Sequence, residues 1–177
     1  IYLKSFSDPS DKISAFEDAR LDIVTNDPTG MYNLGYGSSN ETRYYDTTNL
    51  HYIGFNFTGT FFQTAQARYA VNYAIDRETI VESYLSGCAV AATLPVHPLS
   101  PLYDSSYAEK FVYDLEKCSA MFTNANVKDH DNDGELEFLV TGIVIKPNIS
   151  FIVNNDSTAK VLAARRIAEA LDSIGIK

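Results

Sequence analysis

The residues best suited to chemistry are carboxylates. Asp129, Asp131 and Asp133, followed by Gly134, spell the D-x-D-x-D-G opening of a calcium loop. Calcium takes about 6–8 oxygen ligands, and an EF-hand closes its loop with a bidentate Glu at about position 12. Counting from Asp129, that position holds Val140, so the loop is incomplete. The alternative is a tight polar turn over 128–134, in which Asp side chains accept hydrogen bonds from backbone amides and Gly134 takes a positive φ. The missing Glu favours the turn, and leaves calcium as the weaker reading. A second polar cluster, Asn154, Asn155, Asp156, Ser157 and Thr158, follows an apolar run and leads into a helical pattern. Such strand-to-helix junctions hold ligands in open α/β sheets. The plainer reading is a capped helix start.

Other candidates are sparse. His51, His97 and His130 share no spacing with Cys or carboxylates, which argues against a transition-metal site. Cys88 and Cys118 form no C-x-x-C motif. Cys118 shares an apolar face with Leu115 and Phe122, so it reads as a small buried hydrophobe, with a disulfide as the alternative. There is no G-x-S-x-G elbow, no phosphate loop and no H-E-x-x-H. The expectation is a protein that is not an enzyme and needs no cofactor.

The elements that must position these residues follow from periodicity and caps. Ser10 can cap a helix to about residue 20, with Ile13 and Phe16 inward. Leu21 to Thr25, Tyr44 to Thr47 and His51 to Phe57 read as strands, the last being rich in aromatic and β-branched types. Residues 26–40 are rich in Gly, Asn, Ser and Pro and read as loop. Ala67, Val71 and Ala74 mark the buried face of a helix over 64–75. Asp76 caps the next helix, which Gly87 ends. Pro95, Pro98 and Pro101 make 93–104 an irregular loop. Asp114 caps a helix to Phe122. Leu136 to Thr141 and Ile143 to Ile145 form a hairpin around Gly142, and Ile149 to Val153 a buried strand. The last helix covers 157–174, with Val161, Ala164, Ala168 and Leu171 inward. Strands alternating with helices give α/β or α+β.

Composition sets outer bounds. The chain has 177 residues, 45% of them hydrophobic and 21% charged, as in ordinary globular domains. The net charge of −9 argues against nucleic acid, whose phosphates need clustered Lys and Arg, and against anionic membrane surfaces. No apolar run is long enough to cross a bilayer.

Several stretches, in order, resemble one family. They are His51 to Asn56 followed by Ala67 to Arg77; Gly87 to Thr93 with the proline loop; and Tyr113 to Cys118 followed by Asp131 to Gly134. Ala15 to Val24 and Ile167 to Ile176 match more loosely. Together they resemble the family 5 extracellular solute-binding proteins, which include oligopeptide, dipeptide and nickel binders. The resemblance implies an α/β chain, an internal fragment of a type II periplasmic-binding-protein-like fold. Residues 51–177 would form much of the second lobe, and 1–50 the segment leading into it. Arg68 and Arg77 match family arginines, and are expected to bridge helices to nearby carboxylates. In the family's dipeptide binders an Arg in the loop after Val153 grips the ligand carboxylate. Here Thr158 sits near that place and no Arg precedes Arg165, which argues against strict dipeptide recognition.

The function so implied is extracytoplasmic capture of peptides or similar small solutes, delivered to an ABC transporter permease by closure of two lobes. The ligand-facing residues would be Asn154, Asn155, Asp156 and Thr158. The protein would sit in the periplasm or at the cell surface, touching membrane only through a lipid anchor outside this fragment. The rival expectations are a regulatory or sensor module reusing the fold, and a calcium-stabilised adhesion domain.

Overall fold

A computed structural model of the chain describes residues 1–25, 40, 41, 43, 45–58, 61–155 and 157–177. Its centre is a pair of helices. Helix α2, after the first helix α1 (Pro9–Glu17), spans Ala65–Tyr73, and α5 spans Leu115–Asn124. Short helices α3 (Arg77–Thr79) and α4 (Ser105–Ala108) lie between them, and α3 runs on into a π-helical turn at Ile80–Tyr84. The long helix α6 (Thr158–Asp172) closes the chain.

Alanines let α2 and α5 approach closely. Ala67, Ala70, Val71 and Ala74 on one side meet Cys118 and Phe122 on the other, all fully or almost fully buried. This confirms the inward face expected for α2 and the buried Cys118. Both cysteines are free thiols, with Cys88 exposed. Phe122 stacks on Phe61 at 5.4 Å between ring centroids. Phe61 also meets Phe62 at 5.1 Å and Phe138 at 5.7 Å, so one aromatic cluster joins helix, sheet and the preceding chain. Aromatic pairs in these geometries add roughly 0.5–1.5 kcal/mol beyond their area.

Helix starts follow local chemistry. Thr64 accepts a hydrogen bond from the Ala67 amide, Asp76 from that of Thr79, Asp114 from that of Lys117 and Ser157 from that of Lys160. Each such cap is worth about 1 kcal/mol. The first helix differs from expectation: its cap is Asp8, which accepts from the Ser10 amide at 2.8 Å, and Pro9 opens the helix. Proline at the first helical position has its φ already set and no amide to satisfy, which moves the start ahead of Ser10.

The sheet is small and antiparallel. Strands β1 (Val127–Lys128), β2 (Glu137–Val140) and β3 (Ile143–Ile145) lie in the order β1-β2-β3. The expected hairpin is present: Thr141 and Gly142 turn it, both at positive φ, and Val140 faces Ile143. Lys128, expected in the turn, is instead paired with Glu137.

Four other expectations fail. Leu21 to Thr25, the described part of Tyr44 to Thr47, His51 to Phe57 and Ile149 to Val153 form no strands. In two of them the alternation is real: Ile53 and Phe55, and Ile149 and Phe151, pack against the core. Yet Ile152 is 100% exposed, so its run is not the buried strand expected. A strand needs a ladder partner, and none of these segments has one among the described residues. Helix α6 buries Ala159, Ile167, Ala170 and Leu171, with Ala168 exposed, so its inner stripe is rotated from the one expected. Alanine occurs on all its faces and blurs the periodicity. The loop expected at 26–40 lies, apart from Asn40, outside the described residues.

Arg68 and Arg77 are structural, but their acceptors are not carboxylates. Arg68 Nη1 donates to the carbonyls of Phe62 (2.7 Å) and Gln63 (3.0 Å). Arg77 donates to the carbonyls of Asn72, Ile75, Ala92 and Phe111 and to Asn72 Oδ1, tying the end of α2 to the loop at Ala92 and to the short 3-10 turn Glu109–Phe111. The carboxylate bridge belongs to Arg166 of α6, whose Nη2 lies 3.1 Å from Asp76 Oδ2.

Candidate functional site

At the start of α6, Asn154, Asn155 and Thr158 are exposed and Ser157 is half-buried. Asn154 and Asn155 lie in the approach to the helix, Ser157 caps it, and Thr158 is its first residue. Asp156 lies outside the described residues. The sequence reason for this geometry is local: Ser157 turns its oxygen onto the Lys160 amide, while Thr158 faces solvent. Two exposed amide side chains and a hydroxyl at a helix start can donate to and accept from a polar solute.

An open groove of 310 Å³ runs along the other end of α6. Ile149 and Phe151 form one wall, and Ala168, Leu171 and Ile176 the other, with Glu169, Asp172 and Lys177 at the rim. The Ile149 amide donates to the Lys177 carbonyl at 3.1 Å and holds the two sides together. None of Asn154, Asn155 and Thr158 lines this groove.

The acidic loop is more ordered. Asp129 Oδ1 accepts from the amides of Asn132 (2.6 Å) and Asp133 (3.2 Å), and its Oδ2 from Gly134 (2.9 Å). Asp131 accepts from the Asp133 amide, and Asp133 from the Glu135 amide. This is the amide-satisfying turn anticipated, with Asn132 and Gly134 at positive φ. Lys146, just past the end of β3, pairs with Asp133 and with Glu135 Oε2, the latter at 2.8 Å. Those hydrogen bonds, Lys146 first and then the Glu135 amide, hold the Asp133 carboxyl below its ordinary range.

One residue of this loop escaped sequence reasoning. Glu137 joins Asp129, Asp131 and Asp133, with one carboxylate oxygen from each of the four residues within 4.8 Å of the others. Glu137 stands at position 9 from Asp129, a place an EF-hand uses through water, and the count to position 12 passed over it. The antiparallel register brings it in, since it pairs with Lys128 and so faces the start of the loop. His51, His97 and His130 are not members of this cluster.

Comparison with known proteins bears on the whole chain. It is 37% identical over 87 residues to the oligopeptide-binding protein AppA of Bacillus subtilis, covering 49% of this chain and 16% of that protein. It is 28% identical over 100 residues to heme-binding protein A of Haemophilus influenzae, covering 56% and 18%. The chain thus spans less than a fifth of these relatives. Among solved structures it resembles the oligopeptide-binding protein of Thermus thermophilus in complex with a pentapeptide, at TM-score 0.55 and 25% identity, covering 63% of this chain and 18% of that one. It also resembles the mannohexaose-bound periplasmic oligopeptide-binding protein of a Thermotoga maritima oligopeptide ABC transporter, at TM-score 0.56 and 26% identity, covering 69% and 23%. Its helices and small sheet are a fragment of that binding-protein fold. Residues 1–177 match throughout the middle part of the bacterial extracellular solute-binding proteins of family 5, and the chain belongs to that family.

Proposed function

We propose that the protein of which this chain is part captures a short peptide or similar small solute outside the cytoplasm and passes it to an ABC importer. The observation that carries this is the family match over the full 177 residues, with structural likeness to a binding protein holding a pentapeptide. Two lobes would close on the ligand, which favours the closed state by binding it better than the open one. Residues 51–177 would supply much of the second lobe and 1–50 the segment leading into it. The membrane would be reached only through a permease partner and a lipid anchor outside these residues.

Asn154, Asn155, Asp156 and Thr158 are the residues we assign to the solute. Exposed amides and hydroxyls at a helix start suit the backbone groups of a peptide, or the hydroxyls of a sugar chain like that held by the Thermotoga relative. The acidic balance of the chain favours solutes that are neutral or basic overall.

Titration calorimetry on the full-length protein tests the assignment. A panel of short peptides and one oligosaccharide should yield at least one saturable ligand. The Asn154→Ala/Asn155→Ala pair should weaken it by roughly tenfold or more, as loss of two hydrogen bonds of about 1 kcal/mol each implies. Unchanged affinity in the pair removes this loop from the site and leaves the capture function to other residues.

A further inference from the structure

Glu137 is the one fully buried charged side chain among the described residues, at 0% exposure. Its Oε2 accepts from the His130 amide at 2.8 Å. Its Oε1 is buried and accepts no hydrogen bond among the described residues. A buried carboxylate oxygen without a donor is strongly unfavourable, and such oxygens are found paired or bound to metal. Glu137 belongs to the cluster formed with Asp129, Asp131 and Asp133.

We propose that Asp129, Asp131, Asp133 and Glu137 hold a calcium ion, with the unpartnered Glu137 oxygen as its innermost ligand. The donor set is all oxygen, which selects a hard cation. Calcium–oxygen distances of about 2.3–2.6 Å put ligands on opposite sides of one ion about 4.6–5.2 Å apart. The observed spread, within 4.8 Å, fits a single ion at the centre. Magnesium demands shorter bonds, about 2.0–2.1 Å, in near-ideal octahedral geometry, and keeps several waters. The amide bonds to Asp129 and Asp131 use only part of each carboxylate's acceptor capacity, leaving lone pairs for an ion. Lys146 is the competing cation. Calcium takes Asp133 from it, and Glu135 remains as its partner.

The ion would brace a joint. The Leu136 amide donates to the Gly175 carbonyl at 2.7 Å, just past the end of α6. The Gly134 carbonyl lies so close to Gly175 that a side-chain carbon there would meet it at 2.5 Å. An ion that fixes residues 129–137 therefore fixes the seat of α6. This site is separate from the solute residues and stands or falls independently of them.

The test is calcium titration by calorimetry, with thermal melts, on full-length protein stripped with a chelator and dialysed. About one equivalent of calcium should bind saturably, with a dissociation constant at or below roughly 10⁻³ M, the weak end for extracellular calcium modules. The melting temperature should rise with calcium, and magnesium should bind at least about tenfold more weakly. Glu137→Gln and Asp131→Asn should each lower calcium affinity by about tenfold or more, since even outer residues of metal sites are worth about 10–100-fold. Asp131 is exposed, so Asp131→Asn decides the matter should Glu137→Gln fail to fold. Absence of saturable binding up to roughly 10 mM calcium, well above that range, overturns the proposal. So does binding that is equal for magnesium, or that survives Asp131→Asn unchanged.

Discussion

Arg77 and Asp76 are adjacent, and they support the same corner by different means. Arg77 spends its donors on carbonyls of three separate segments, an arrangement that needs the flat guanidinium fork. Burial lowers its pKa. Arg77→Lys keeps the charge but loses the fork, and should destabilise the protein by about 2 kcal/mol or more, read from urea denaturation. Asp76 caps α3 and meets Arg166. Burial pushes its carboxyl up, but hydrogen bonds from the Thr79 hydroxyl and amide and from Arg166 outweigh this and leave it below the ordinary 3.8. A lowered folded-state pKa gives stability that is present above 3.8 and lost as pH falls through the folded value. Asp76→Asn keeps a capping oxygen and loses the ion pair. Its deficit relative to wild type should therefore be visible in urea denaturation near about pH 6 and shrink below about pH 3; a constant deficit would assign the loss to packing. Asp76→Ala loses the cap as well and should cost about 1 kcal/mol more.

The two thiols give a simpler contrast at the same scale. Burial, and then the charge of Asp114, push the Cys118 thiol up to about 12. Only thiolates react, so at about pH 8 a disulfide reagent should titrate Cys88 in the native protein and Cys118 only after denaturation. Rapid reaction of both in the native state would contradict the packing of α2 on α5.

At the scale of elements, what could be read in advance was what depends on neighbours in sequence. The caps Asp76 and Asp114 were legible because each oxygen reaches an amide three residues on. The hairpin at Gly142 was legible because its turn residues and alternating flanks are contiguous. His51 to Phe57 and Ile149 to Val153 were misread because a strand is made by its partner. Their inward residues alternate, but neither run has a ladder partner among the described residues. Glu137 was hidden for a related reason, since only the pairing of β1 with β2 carries it to Asp129. The calcium loop looked unfinished when counted along the chain and is more nearly closed in space.

Two glycines separate conformational cost from contact. Gly142 has φ +82 with open space around it, so Gly142→Ala should cost only the left-handed backbone, about 1 kcal/mol. Gly175 has φ +88, and its new carbon would meet the Gly134 carbonyl at 2.5 Å. Backbone cannot rotate away as a side chain can. Gly175→Ala should therefore cost clearly more than Gly142→Ala in thermal melts, and it should displace the acidic loop. Equal losses would show that α6 is not seated on residues 134–136. In the core, Phe122→Ala should cost about 3–5 kcal/mol, since it removes the ring on which Phe61 stacks.

At the scale of the whole molecule, exposed apolar residues are part of the design of a larger fold in our reading. Tyr52, Phe57, Leu139 and Ile143 all face solvent in this chain, which covers 16% and 18% of the two curated relatives. Large exposed apolar faces mark surfaces that something else covers. If 51–177 is much of one lobe, residues 1–177 alone should bind solute far more weakly than the full-length protein, because half the cleft is absent. Calorimetry on both forms with the same peptide checks this, and equal affinity would place the whole site within these residues.

The most direct test of the central claim is native mass spectrometry of the full-length protein as purified. Solute capture predicts added masses that disappear on unfolding and match short peptides, or a single small solute such as an oligosaccharide. A protein that carries no such mass, and gains none when offered peptides and sugars at millimolar concentration, would contradict capture as its function.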